Sequence, residues 1–234
     1  MKINGKETSS VVYENGVILM LDQRKLPHSV EFLELKDKSQ VFEAIQNMIV
    51  RWAPAIWVAW IFGLAQAVKK YSEEVHGEFS KYVEEVGEYL ISARPTGYDL
   101  KHAISYLLGE LKWVANEEAI SLVEEKAQEY AKSSEDVYKK IGEYWGALIK
   151  DGDTIATQCH TWGPAIGVGW YNGTAIECIV NAHRNGKKVK VFADATAPRH
   201  QGWLTEWEFN QEWVPVKVLA DNATGLYMKQ WKID

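Results

Sequence analysis

The chain has 234 residues, 47% hydrophobic and 25% charged, with a formal net charge of -6. That length buries a substantial core in one large domain or two ordinary ones, and the composition excludes a disordered chain. Acidic residues outnumber basic ones both before and after Lys150, so neither half offers a polyphosphate-binding surface and a nucleic-acid partner is not expected.

Val11 to Leu21, VVYENGVILML, holds two β-rich runs split by Glu14-Asn15-Gly16, and an Asn-Gly pair supplies the positive φ angles of a tight hairpin. Ser29 to Leu35 alternates apolar and polar residues and is expected to be a third strand. From Lys38 the period changes: Ser39 is expected to cap a helix carrying Val41, Ile45, Met48 and Ile49 on one face. A second helix is expected after Arg51, with Pro54 in its first turn, where a missing N–H is tolerated. Its apolar part, Ala53 to Val68, is shorter than a membrane span and interrupted by Gln66, so it reads as a buried helix and no membrane partner is expected. Further helices are predicted at Glu78 to Ile91, Tyr98 to Ala115 and Glu117 to Ile149. Arg94-Pro95-Thr96-Gly97 forms a loop between the first two, and a break is expected near Ser133-Ser134. The Glu and Lys spacing of this region makes a solvated outer face.

After Lys150-Asp151-Gly152-Asp153 strands and helices alternate. Asp153 to Gly163, DTIATQCHTWG, reads as a buried strand running into a turn, with Cys159 and His160 at its end before a glycine-rich run that opens a helix. VKVFAD, ending at Asp194, and VPVKVLAD, ending at Asp221, are the next strands. Gly173 to Asn185, Leu204 to Glu212 and Thr224 to Gln230 are the connecting helices. Such alternation implies right-handed βαβ units and a parallel sheet, half of a doubly wound one. The fold class is therefore α/β: a small N-terminal β-sheet with a helical domain over residues 1–150, then a partial parallel-sheet domain over 151–234.

In an open α/β sheet, ligands bind at the carboxyl ends of the strands. A thiol there, beside a helix N-terminus, has its thiolate favoured by the helix dipole, which makes Cys159 an acid/base group or nucleophile; a free cysteine as a small buried hydrophobe is the alternative. Cys178, in the apolar run AIECIV, reads as core. His160 is of the residue type whose ordinary value lies near neutrality, but neighbours on a strand point to opposite faces, so adjacency does not secure a Cys-His couple. His183 and His200 stand alone, and no spacing suggests a metal. Gly167, Gly169 and Gly173 depart from the dinucleotide fingerprint, so phosphate binding by backbone N–H groups is reasonable while a nicotinamide cofactor does not follow. Arg51 and Arg94 each precede a proline at a helix start, where a guanidinium can grip a phosphate with two parallel hydrogen bonds; exposed salt bridges are the alternative. The opening MKINGKETSS lacks the apolar core of a signal peptide, and with two free thiols the expected location is cytoplasmic.

Six collinear stretches, Leu21-Asp22-Gln23-Arg24-Lys25-Leu26-Pro27, Val50-Arg51-Trp52-Ala53-Pro54-Ala55-Ile56, Ala93-Arg94-Pro95-Thr96, Thr157-Gln158-Cys159, Val191-Phe192-Ala193-Asp194 and Asp221-Asn222-Ala223, carry a likeness. In that order they resemble the signatures of the methylthioribose-1-phosphate isomerase family, whose relatives include ribose-1,5-bisphosphate isomerase and regulatory subunits of translation initiation factor two-B. The resemblance implies a helical N-terminal domain, a Rossmann-like C-terminal domain that is partial here, and a homodimer. It implies conversion of a phosphorylated pentose from aldose to ketose with no metal or redox cofactor. It makes Cys159 catalytic and assigns substrate binding to Arg51 and Ala53 of the phosphate-gripping turn, to Arg94, and to Gln201 in His200-Gln201-Gly202.

The chain departs from the family pattern in three ways. Trp52, Trp57, Trp213 and Trp231 stand at family glycine positions, and an indole there fills space or forces a new φ angle. Ala195 and Ala197 replace an acidic residue and an arginine of a DETRP run. The family's GAD-R segment with its catalytic aspartate, and an Asn-Lys pair, would follow residue 234, so a complementary C-terminal chain is an expected partner. The expected function is a sugar-phosphate aldose-ketose isomerase acting on methylthioribose 1-phosphate or ribose 1,5-bisphosphate. The alternatives are a non-catalytic regulatory module resembling the initiation-factor subunits, or an engineered fragment of the isomerase fold.

Overall fold

In a computed structural model of the chain, the described residues are 2–51, 53–74, 79–94, 107, 109–110, 116–159 and 173–234. His160, Gly167, Gly169, Trp52 and most of Tyr98 to Ala115 lie outside them, as does the loop beyond Arg94.

The chain opens with a short hairpin, β1 (Lys2–Ile3) and β2 (Lys6–Glu7), that the sequence pattern does not announce. Next, β3 (Val11–Glu14), β4 (Val17–Leu21) and β5 (Phe32–Leu35) form an antiparallel sheet in that order. Asn15 at φ 52° and Gly16 at φ 81° make the two-residue turn between β3 and β4, as the Asn-Gly pair predicts.

Helix α1 (Lys38–Gln46) is capped by Asp37 and not by Ser39. Asp37 has extended backbone, and its carboxylate accepts from the N–H groups of Ser39 and Gln40 at 2.9 Å each; Ser39 lies inside the first turn and donates its own hydroxyl to that carboxylate. Met48 and Ile49 lie beyond the helix end, not on its face. Met48 sits at φ 58°, and the N–H groups of Met48 and Ile49 close onto the carbonyls of Ile45 and Ala44.

Helix α2 (Ala53–Glu74) runs through the centre of the first core, with Trp60, Phe62 and Leu64 buried. The glutamine that interrupts its apolar run, Gln66, is also buried. Its Nε2 donates to the carbonyls of Gly16 at 2.7 Å and Leu35 at 2.9 Å, so it ties the helix to the hairpin turn and the last strand. Helix α3 (Phe79–Ser92) presents Phe79, Val83, Val86 and Leu90 to the same core.

Helix α4 (Asn116–Leu148) is continuous through Ser133-Ser134, where the sequence suggests a break. Ser133 Oγ donates to the carbonyl of Tyr130 at 2.9 Å, which satisfies the hydroxyl within the helix instead of ending it. Tyr13 Oη and Lys69 Nζ both donate to Glu124 Oε1, at 2.8 and 3.2 Å, and so tie β3 and α2 to this helix. Its far end is capped by Lys187 Nζ, which donates to the carbonyls of Gly146, Ala147 and Ile149.

Strands β6 (Thr154–Thr157), β7 (Lys190–Asp194) and β8 (Val216–Leu219) are parallel, in the order β6-β7-β8, joined through α5 (Thr174–Arg184) and α6 (Gln201–Gln211) and followed by α7 (Thr224–Lys229). The alternating pattern predicts this arrangement. β6, read from sequence as buried, is half-buried throughout, because among the described residues it pairs on one side only; β7, paired on both, holds the buried Val191 and Ala193. Gly142 and Gly146 let α4 lie close on α5. A Cβ at Gly142 would stand 2.5 Å from Glu177 Cγ, and one at Gly146 2.9 Å from the Cys178 carbonyl oxygen. Ile3, Leu21 and Leu26 from the N-terminal region join Ile176, Ile179, Val191 and Phe209 in a second core. Trp57 packs against the first. Among the described residues no helix is long and apolar enough to cross a membrane.

Candidate functional site

The carboxyl ends of the three parallel strands are bonded to one another. Cys159 follows β6 at φ 64°, a left-handed conformation that strains any residue but glycine, and is half-buried. Its N–H donates to Thr196 Oγ1 at 3.2 Å, and its carbonyl accepts from Thr205 Oγ1 at 3.4 Å. Thr196 follows β7, and its N–H and that of Ala197 donate to the Asp221 carboxylate after β8 at 2.6 and 2.9 Å. Those bonds, Ala197's first, then Thr196's, hold the Asp221 carboxyl below the usual carboxylate range.

This turn leads into α6, which starts at Gln201, three residues earlier than the sequence suggests. Gly202 explains the early start: its N–H donates to the Ala195 carbonyl at 3.2 Å, and a Cβ there would stand 2.4 Å from the Asp194 carbonyl oxygen, so glycine lets the helix begin against the strand end. Gln201 Oε1 is sealed from solvent with no hydrogen-bond partner among the described residues.

Across from this turn, Gln23 holds Arg51. Gln23 is buried; its N–H donates to the Ile49 carbonyl at 3.0 Å, and its Oε1 accepts from the Arg51 N–H at 2.9 Å. Arg94 Nη1 donates to the Arg51 carbonyl at 3.0 Å. The turn that supplies Gln23 is itself fixed by Asp22, whose carboxylate takes a two-pronged bond from Arg24 Nε at 2.9 Å and Nη2 at 2.7 Å. Arg199 Nη1 reaches Met48 Sδ at 3.0 Å and so bridges the α6 turn to the segment that carries Arg51. Burial, and after it the Arg199 charge, hold the Arg51 guanidinium below the ordinary arginine value.

Of the residues singled out in the sequence, Arg51 and Arg94 are bonded to each other, while the Cys159 backbone bonds to Thr196 and Thr205 on either side of Gln201 in the chain. Ala53 is the first residue of α2, two past Arg51. Gln23 and Arg199 were not singled out as site residues. Gln23 lay within the LDQRKLP stretch, which was its signal, whereas Arg199 carried none. Cys178 belongs elsewhere: its thiol, pushed up to about 11 by burial, donates to the Thr174 carbonyl at 2.8 Å and lines a cavity of about 500 Å³ with Trp145, Leu148 and Ile155, which none of the three arginines enters. Among the described residues no three His, Cys, Asp or Glu side chains come together as a metal site. Chemically, guanidinium groups held in this way can grip an anion.

Residues 49–234 match the model of the Initiation factor 2 subunit family. The chain is 37% identical over 230 residues to methylthioribose-1-phosphate isomerase of Thermosipho africanus, a match that covers 97% of this chain and 66% of that protein. Among solved structures, it superposes on 5-methylthioribose 1-phosphate isomerase from Pyrococcus horikoshii with a TM-score of 0.86 at 28% identity, covering 100% of this chain and 67% of that one. It superposes on translation initiation factor eIF-2B, subunit delta, from A. fulgidus with a TM-score of 0.83 at 30% identity, covering 97% and 66%. The chain thus spans about two thirds of the length of the relatives it matches.

Proposed function

Because the chain belongs to the Initiation factor 2 subunit family, we propose that it is a cytoplasmic, homodimeric sugar-phosphate isomerase that converts methylthioribose 1-phosphate to its ketose. The observation that supports this reading is that the Cys159 N–H donates to Thr196, and that Arg199, in the same loop as Thr196, reaches Met48, three residues before Arg51. The isomerase names of the relatives favour methylthioribose 1-phosphate over ribose 1,5-bisphosphate.

In this reading Arg51 and Arg94 hold the phosphate and Gln201 accepts a bond from a sugar hydroxyl. Cys159 exchanges a proton with the substrate as hydrogen moves between the two adjacent carbons, so the product is an isomer and no atom is gained or lost. The resemblance places a second acid/base group, an aspartate, in the third of the relatives that the chain does not span, and a C-terminal segment added as a partner supplies it.

Incubation with methylthioribose 1-phosphate, and separately with ribose 1,5-bisphosphate, is followed by NMR for loss of the anomeric proton and growth of a ketose carbonyl, with and without that segment in trans. Turnover that disappears in Cys159→Ala is the expected result; absence of turnover from a folded protein in every arm overturns the reading.

A second reading is a non-catalytic binding module, and the superposition on the initiation-factor subunit favours it. It predicts sugar-phosphate binding without turnover and a stable hetero-oligomer by light scattering.

A further inference from the structure

Arg199 comes from the loop between β7 and α6, yet it reaches Met48, three residues before Arg51, whose carbonyl takes a bond from Arg94. Its Nη1 lies 3.0 Å from Met48 Sδ, a weak acceptor that leaves most of the guanidinium's donor capacity unused. Met48 is the left-handed residue that turns the chain toward Arg51, so the contact fixes Arg199 against the segment whose carbonyl Arg94 grips. Neither Arg94 nor Arg199 faces a carboxylate within salt-bridge distance among the described residues. The Arg199 charge opposes that of Arg51, which is partly out of water, where such repulsion is less screened. An anion placed among them converts the repulsion into attraction. Gln201, two residues after Arg199, keeps a buried amide oxygen without a partner among the described residues in the same turn.

We propose that Arg199 is a third phosphate-contacting cation of this site, acting with Arg51 and Arg94 on the phosphate monoester of a hydroxylated ligand. The sugar identity of that ligand rests on the isomerase reading; the anion contact does not. Three guanidinium groups around one phosphate balance a doubly charged monoester better than a singly charged diester, so the site takes terminal phosphate and discriminates against bridging phosphate.

The test measures inorganic phosphate binding at constant ionic strength, from the rise in thermal midpoint with phosphate concentration, for the unaltered protein, Arg199→Gln, Arg199→Lys and Arg51→Gln. Arg199→Gln is expected to weaken phosphate binding by about ten- to hundredfold, and Arg199→Lys to lose less. Without phosphate, Arg199→Gln is expected to melt no lower than the parent, because it removes a repulsion; a purely structural arginine would lower the midpoint. If Arg51→Gln loses phosphate while Arg199→Gln binds it like the parent, the Arg199 proposal is overturned and the isomerase reading is untouched. If phosphate binding depends on Arg199 but neither sugar phosphate turns over, the proposal holds and the isomerase reading falls. If the parent binds no phosphate, both fall.

Discussion

Arg94 donates from Nη1 to the backbone carbonyl of Arg51 at 3.0 Å, while the N–H of Arg51 is held by Gln23 Oε1 at 2.9 Å. Arg51 is therefore fixed on both sides of its own Cα by side chains from two distant segments. The two motifs that flank it in the chain thus hold that backbone still. One nitrogen of Arg94 braces Arg51, and its remaining donors are those assigned to a ligand in the proposed function.

Arg94→Lys separates these roles. An ammonium group can reach the Arg51 carbonyl or an anion, but it lacks the planar fork that serves both. The expected outcome is phosphate binding weakened by about tenfold, with a loss of folding stability under about 1 kcal/mol, since a charge is kept in place. Urea unfolding and phosphate titration check the two halves; unchanged phosphate affinity would show that Arg94 is a brace alone.

Gln23→Ala strips the acceptor from the Arg51 N–H in a buried position. The unmatched donor costs about 1–3 kcal/mol, and the loosened turn spreads the orientations open to the Arg51 side chain. Both a lower urea midpoint and a weaker phosphate interaction are expected. Loss of stability without loss of affinity would mean that Gln23 supports the fold and does not aim the arginine.

Trp213 and Trp231 follow the ends of α6 and α7 at φ 60° and 54°, positions where a glycine is usual. Each closes the same pair of backbone bonds that Gly186 closes after α5: Trp213 N–H to Asn210 and Val214 N–H to Phe209, then Trp231 N–H to Met228 and Lys232 N–H to Tyr227. Both indoles are almost fully exposed, at 87% and 93%, so little burial offsets the strain. Replacing either with glycine is expected to stabilise the protein by about 0.5–1 kcal/mol after the added freedom of the unfolded chain is counted. That is roughly 1–4 °C in a thermal scan. A lower midpoint in both variants would mean that the rings make contacts worth more than the strain.

The features legible in the sequence are those set by local periodicity and turn chemistry. The Asn15-Gly16 turn and the parallel strands, the last ending at Leu219 two residues short of the expected Asp221, follow from neighbours within a few residues, whereas the tryptophans at glycine positions come from the family resemblance. Features with two reasonable local solutions, and features decided by distant partners, were not legible. Asp37 and Ser39 are both good caps, and only the extended backbone at Asp37 chooses between them. Ser133 suggests a break until its hydroxyl is seen to turn back on Tyr130. Arg199 meets Met48 across a separation of 151 residues, which no spacing rule reaches. Among site residues, sequence could nominate Arg51, Arg94, Cys159 and Gln201, but not the like-charge approach that sets the character of the place.

Acid should act on the Gln23 turn through Asp22. The side-chain bonds of Arg24 are the largest cause that holds this buried carboxyl below the usual carboxylate range, against the opposing pull of burial. A depressed folded value means that the stabilisation is complete above the unfolded value of ~4 and is lost as pH falls through the depressed value. Asp22→Asn is therefore expected to be less stable than the parent at neutral pH, with the gap narrowing as the pH falls below ~4. Urea midpoints across that range would show it. A gap that does not change with pH would assign the effect to packing.

The two cysteines should separate cleanly. Cys178, buried and pushed up to about 11, stays a neutral thiol at neutral pH and resists a disulfide reagent until the protein unfolds, whereas half-buried Cys159 is the one expected to react with the native chain. Cys159 also holds a left-handed backbone, which alanine must keep and glycine adopts without strain. Cys159→Gly is thus expected to be at least as stable as Cys159→Ala, even though glycine elsewhere in a chain destabilises, and neither variant should isomerise a sugar phosphate. Peptide mapping of the labelled thiol and paired thermal scans test these points. If Cys178 proves the faster thiol, or if Cys159→Ala turns over at the parent's rate, the strain at residue 159 is a feature of the turn and the thiol is not the group that moves the proton.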